Sequence, residues 1–143
     1  MKKTLLMAAL FAASMVTFTS CDKDKDDNKF SSSDLVGTWV VTEEIEYQTV
    51  AGVKGEEEKS TYTVDEKQGL ITFNADGTFV DEDKITGKWE LKGNALTLKY
   101  DEEEHTLKIA SLSSSTLVVE DNETGSFGGV SFGYYYKVTF KKI

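Results

Sequence analysis

The chain has 143 residues, with 25 acidic side chains against 16 basic ones and a formal charge of −9. That length makes one domain around one core, and the charge argues against nucleic acid or an anionic lipid surface as partner, since both need clustered cations. Every basic residue is lysine, which removes the planar two-point grip on phosphate or carboxylate that arginine provides.

The N-terminus reads as an address. Lys2 and Lys3 precede an apolar run over residues 5–13, and residues 17–20 are small or polar apart from Phe18. This is the three-part plan of a secretory signal peptide. The 17 residues from Thr4 to Ser20 include Ser14, Thr17 and Thr19, and fall short of the about 20 mostly apolar residues that a membrane span needs. Phe18-Thr19-Ser20-Cys21 resembles a bacterial lipobox, where a diacylglyceryl group is attached to the cysteine before cleavage. Phe18 and Thr19 depart from the usual Leu-Ala-Gly-Cys, whereas Ser20 keeps the small residue beside the cut. The resemblance implies lipidation at Cys21, the only cysteine, and anchoring in a membrane. Each buried methylene adds about 0.8 kcal/mol, so two or more acyl chains hold stably. The acidic run over residues 22–27 resembles the export signal of lipoproteins displayed on the outer face of the outer membrane. It also has the composition of a solvated tether. The expected organisation is a signal peptide over 1–20, a lipidated acidic tether over 21–33 and a folded domain over 34–143, outer-membrane anchored and facing the cell exterior. Without residues 1–20 the chain keeps 14 lysines and 25 acids, a charge of −11.

From Thr38 onward apolar and polar residues alternate with period two, as strands with one buried face do. In the first run Trp39, Val41, Ile45 and Tyr47 fall on one face and Thr42, Glu44, Glu46 and Gln48 on the other. Glu43 breaks the apolar face, which points to a bulge or to a solvent-filled end. Residues 51–60 read as a charged loop and 61–64 as a short strand. Ile71 and Phe73 run into Asn74-Ala75-Asp76-Gly77 before Phe79 resumes, a hairpin with a strong Asp-Gly signal. Residues 88–91 pass through Gly93-Asn94 into Leu96, Leu98 and Tyr100, a second hairpin. Further strands carry Leu107 and Ile109, then Leu117 and Val119. The last one sets Tyr134, Tyr136, Val138 and Phe140 on one face and Tyr135, Lys137, Thr139 and Lys141 on the other. The fold class is all-β: an antiparallel up-and-down meander of about eight strands closing into a small barrel, with a two-sheet sandwich as the alternative. Closure removes the edge strands that would otherwise need protection.

Leu35-Val36-Gly37-Thr38-Trp39 matches the Gly-x-Trp signature on the first strand of lipocalins. The runs 71–79 (Ile-Thr-Phe-Asn-Ala-Asp-Gly-Thr-Phe) and 87–91 (Gly-Lys-Trp-Glu-Leu), with the closing Thr139-Phe140-Lys141-Lys142, complete the set. Over residues 34–143 the chain resembles the lipocalin-like domain of bacterial surface lipoproteins. It is shorter than a true lipocalin and lacks the C-terminal helix and disulfide. The resemblance implies a non-catalytic binder of a small apolar or amphipathic ligand. Trp39, Phe73, Phe79, Trp89, Tyr134 and Tyr136 are the candidate ligand-binding or barrel-interior residues.

No catalytic, metal or cofactor site is expected. Cys21 is consumed by lipid, and the only histidine, His105, sits beside Glu102-Glu103-Glu104 and reads as a surface residue at a turn or strand edge. No serine stands in a Gly-x-Ser-x-Gly elbow. Residues 72–83 place Asn74, Asp76, Gly77 and Asp83 at positions 3, 5, 6 and 12 of a calcium loop. Thr72 stands where its first aspartate belongs, and the Asp-Gly hairpin accounts for the same residues. Zinc fails for want of histidine and free cysteine. The Gly-rich residues 125–133 lack the lysine and helix of a phosphate loop and suit a hairpin at a barrel rim. Tyr135 alone of residues 134–136 points outward, where it could stack on a sugar or peptide. The second function to weigh is therefore an accessory lipoprotein that recognises a protein or glycan through its rim.

Overall fold

In a computed structural model of the chain, residues 30–143 are described. The expected signal peptide, the lipidation at Cys21 and the acidic run over 22–27 lie outside them.

Period-two alternation becomes ten strands: β1 (Gly37–Val50), β2 (Val53–Lys54), β3 (Glu58–Thr61), β4 (Ile71–Phe73), β5 (Thr78–Asp81), β6 (Thr86–Lys92), β7 (Ala95–Tyr100), β8 (Glu103–Leu112), β9 (Thr116–Phe127) and β10 (Val130–Lys142). Eight of them close a barrel in the order β1-β4-β5-β6-β7-β8-β9-β10, with β10 pairing back onto β1. All pairings are antiparallel. The barrel is thus the fold, and the sandwich alternative falls away. The remaining two strands extend one edge of β1, where β4 pairs residues 37–39, β3 residues 43–46 and β2 residues 49–50. Part of the stretch expected as a loop is therefore strand. Ala51 and Gly52 turn β1 into β2 with φ of 52° and 79°, the left-handed pair that a tight hairpin of matching twist requires. The strand expected at 61–64 ends at Thr61 instead, and a 3-10 turn over Val64–Glu66 follows.

β1 carries the bulge that Glu43 announced. Its register against β10 shifts between Val41 and Glu43. An extra residue in one strand reverses the facing of everything beyond it. Val41 lies opposite Phe140, and Glu44 and Glu46 then lie opposite Val138 and Tyr136. Glu44, Glu46 and Gln48 thus take the inner face. Ile45 and Tyr47, expected to continue the face of Trp39, point outward, and Tyr47 stacks on Tyr135 at 4.7 Å.

The core runs from Leu35 to Phe140 and includes Trp39, Phe79, Leu96, Ile109 and Leu117, all essentially unexposed. Burying each such side chain contributes about 1.5–3 kcal/mol. Phe30 and the short helix α1 (Ser32–Leu35) pack against the barrel end where β1 starts and β10 finishes. Leu35 is fully buried there, and its carbonyl accepts the indole N–H of Trp39 at 2.7 Å. Lys142 Nζ donates to the Asp34 and Val36 carbonyls at 2.7 and 2.9 Å and lies 4.8 Å from the centroid of the Trp39 ring. A cation on the last carbonyls of a helix satisfies acceptors that have no partner within it. This end of the barrel is plugged.

Candidate functional site

The opposite end is hollow. β5, β7 and β9 run toward it, and β6, β8 and β10 leave it. Beneath the mouth lies a cavity of about 90 Å³. Its apolar wall includes Phe73, Leu98, Leu107, Val119 and Val138, and its mouth carries Asp81, Tyr100, Asp121, Glu123 and Tyr134. A hydrocarbon-lined hollow of about 150 Å³ holds a benzene ring, so this one takes a few carbons or the edge of a small ring while the rest of a ligand stands in the mouth.

Alternation along each strand puts these residues where they are. In β5, Phe79 and Asp81 face inward, opposite Gly87 and Ile71. Asp81 is 8% exposed. Its Oδ1 accepts the backbone N–H groups of Asp83 and Ile85 at 3.0 and 2.9 Å, capping the β5–β6 turn. Tyr100 ends β7 on the same inner face and lies edge-on to Phe79 at 4.9 Å. Burial, then the charge of Asp81, pushes its hydroxyl up to about 12. On β10, Tyr134 and Tyr136 stack in parallel at 6.5 Å. Tyr136 donates to Glu44 at 2.9 Å and Tyr134 donates to Glu46. The other oxygen of Glu44 accepts the Tyr62 hydroxyl at 2.9 Å. Both inner tyrosines are raised well above the usual phenol range, first by burial and then by the glutamates they bond. The bulge is what delivers those glutamates to the inner face. On the neighbouring β9, where Glu123 lies opposite Tyr134, burial and then the charge of Asp121 push the Glu123 carboxyl up.

The expected site residues divide. Phe73, Tyr134 and Tyr136 line the cavity. Trp39 sits in the plug, and Phe79 is fully buried behind Tyr100. Trp89 stands edge-on to Phe73 at 5.9 Å and donates its indole N–H to the Asn74 carbonyl at 3.0 Å, bracing the β4–β5 turn. His105 is placed differently from expectation. It belongs to β8 opposite Leu98, its side chain is 16% exposed, and its ring lies 6.1 Å from that of Tyr100. Its phase with Leu107 and Ile109 turns it inward despite the neighbouring glutamates. The calcium-loop residues separate as well. Asp76 Oδ1 caps the β4–β5 turn by accepting the Thr78 N–H and hydroxyl at 3.0 and 2.6 Å, whereas Asp83 lies beyond the far end of β5. Among the described residues no group of three His, Cys, Asp or Glu side chains converges to hold a metal. Tyr100, Asp121 and Glu123 were not singled out as site residues in the sequence, and Asp81 was not placed in the barrel interior. For Asp81 the signal was present: it stands two residues after Phe79 in an alternating strand.

A closed antiparallel meander, plugged at one end and hollow at the other, is an up-and-down barrel of the kind that encloses small ligands. The profile of the lipocalin-like domain matches residues 35–119, and the chain belongs to that family. No curated protein matches the chain.

Proposed function

We propose that the protein is a lipid-anchored, non-catalytic binding module that takes a small apolar or amphipathic ligand into the open end of its barrel. The apolar cavity beneath the mouth carries this reading. A concave, mostly apolar pocket with a few convergent polar groups is what small-ligand sites have in common. Family membership supports it, because lipocalin-like domains generally bind rather than catalyse. Cys21 would carry the acyl chains. The described chain enters at the plugged end, so the tether would leave the mouth facing away from the membrane and, with the acidic run as export signal, toward the exterior.

The test uses the chain from residue 21 with Cys21→Ala, which keeps the whole core between Leu35 and Phe140. The neutral fluorophore N-phenyl-1-naphthylamine should brighten and saturate at one molecule per chain. Absence of saturable binding would remove the reading. In the unaltered protein, labelled palmitate should be incorporated and lost on Cys21→Ala.

One observation favours a second reading, recognition of a protein or glycan through the rim. Beyond the mouth, β1, β9 and β10 rise as a ribbon. Val50 pairs with Phe132 and Phe127 with Val130 at its tip, and Phe127 is 83% exposed. A Phe127→Ser, Phe132→Ser variant that retains fluorophore binding but loses a partner bound by the native protein would support it.

A further inference from the structure

We infer that the cavity is built for ligands with a cationic head on a short apolar body, such as a protonated alkyl or aryl amine, and that Asp81 is the seat of the ammonium group. The inference rests on the cavity reading above and assigns the charge of its ligand.

Asp81 is the one polar or charged residue that is buried among those described. It is fixed in place, because Oδ1 is held by the two backbone N–H groups of the β5–β6 turn. Its Oδ2 meets no hydrogen-bond donor, alone among the buried side-chain nitrogen and oxygen atoms of the described residues. A buried carboxylate oxygen left without a donor is destabilising, and its charge enlarges the penalty. Asp81 lies on the inner face of β5 in the cavity wall. Oδ2 is covered, so an N–H group brought in by a ligand would complete it once the wall beside Asp81 yields.

The surroundings have the same sign. Glu82, Asp83, Asp121 and Glu123 stand with Asp81 in the lining, and no lysine is among the lining residues. Two neighbours register the field: beyond burial, the charge of Asp81 pushes the Tyr100 hydroxyl up and that of Asp121 pushes the Glu123 carboxyl up. A fatty carboxylate entering this mouth would meet a lining rich in acids and free of lysine. An ammonium would find one desolvated carboxylate and the rings of Tyr100 and Tyr134, whose faces attract cations. Behind it, Leu98, Leu107 and Val119 would cover the first carbons of the tail.

The experiment displaces N-phenyl-1-naphthylamine from the Cys21→Ala chain at pH 7 with octylamine, octanol and octanoate, which share one tail and differ in charge. Octylamine should half-displace the fluorophore at a concentration at least about tenfold below that of octanoate, with octanol between them. Asp81→Asn keeps an acceptor oxygen for the Asp83 and Ile85 amides. It should reduce the amine's advantage over octanol to less than about threefold. If Asp81→Asn fails to fold, Asp121→Asn with Glu123→Gln takes its place and should narrow the amine-to-octanoate ratio by about threefold. Octanoate competing as well as octylamine would overturn the inference, as would an amine advantage that survives both variants. Displacement by octanol without amine preference would overturn the charge assignment alone. A fluorophore that does not bind at all would overturn the cavity reading beneath it.

Discussion

Gly87 marks the place where the barrel has no room for a side chain, and Gly87→Ala measures how rigid the wall behind the mouth is. The residue faces inward opposite Phe79 across the β5–β6 register. A Cβ there would lie 2.4 Å from the Lys99 carbonyl oxygen and 2.6 Å from Cε1 and Cζ of Phe79. Neither neighbour can retreat cheaply. Lys99 is in β7, paired to β6 at Lys88, so moving its carbonyl disturbs the ladder. Phe79 is fully buried, edge-on to Tyr100 at 4.9 Å and tilted against Phe73 at 6.4 Å. Overpacking a filled core costs about 1–3 kcal/mol. Two contacts far inside van der Waals separation put this substitution at the upper end, about 3 kcal/mol. At about 4 °C per kcal/mol for a domain of this size, Tm should fall by about 12 °C, read from far-UV circular dichroism. The Phe79→Leu background supplies the internal control. Alone it costs about 1–2 kcal/mol. Combined with Gly87→Ala it should cost clearly less than the sum, because the ring that obstructs the new methyl has gone. A Tm within about 2 °C of the native value, or strict additivity, would refute the reasoning.

Trp39→Phe removes the N–H that the buried Leu35 carbonyl accepts and should lower stability by about 1–3 kcal/mol, seen as a lower urea midpoint with an unchanged slope. Tyr136→Phe strips one donor from Glu44 and should cost about 0.5–1.5 kcal/mol in the same assay, less than the tryptophan change because the other Glu44 oxygen keeps Tyr62. Tyr100 titrates from 10.0 up to about 12 in the fold, and a raised pKa means that the fold favours the protonated form. Its stabilising contribution is therefore full below pH 10 and is lost as pH rises toward 12. Denaturation midpoints measured across that window should fall, and fall less steeply for Tyr100→Phe; a flat profile would contradict the assignment.

Much of the fold was legible because alternation is a strong signal when each strand has one wet face. Phe79, Leu96, Leu98, Tyr134 and Tyr136 follow it without exception, and the Asp-Gly and Gly-Gly turns fall where the hairpins are. The inner face of β1 beyond Val41 was misread even though Glu43 betrayed a bulge. The interruption shows that the phase changes, but the flip becomes visible only when Glu44 is seen opposite Val138. Strands β2 and β3 were hidden in a charged loop because they are short, largely exposed and stabilised by pairing with β1 rather than by burial. The cavity was least legible. It is assembled from strands distant in sequence, and its acids look like solubility until pairing turns Asp81, Asp121 and Glu123 inward. His105 shows the same effect: composition spoke for the surface, whereas strand phase decided.

Methyl-resolved NMR of the Cys21→Ala chain, titrated with octanol, tests the central claim most directly, since the cavity and the exposed ribbon tip carry different methyl groups. The account predicts saturable shifts at Leu98, Leu107, Val119 and Val138, with Val50, Val53 and Val130 unmoved. Shifts confined to the tip, or none at all, would contradict it.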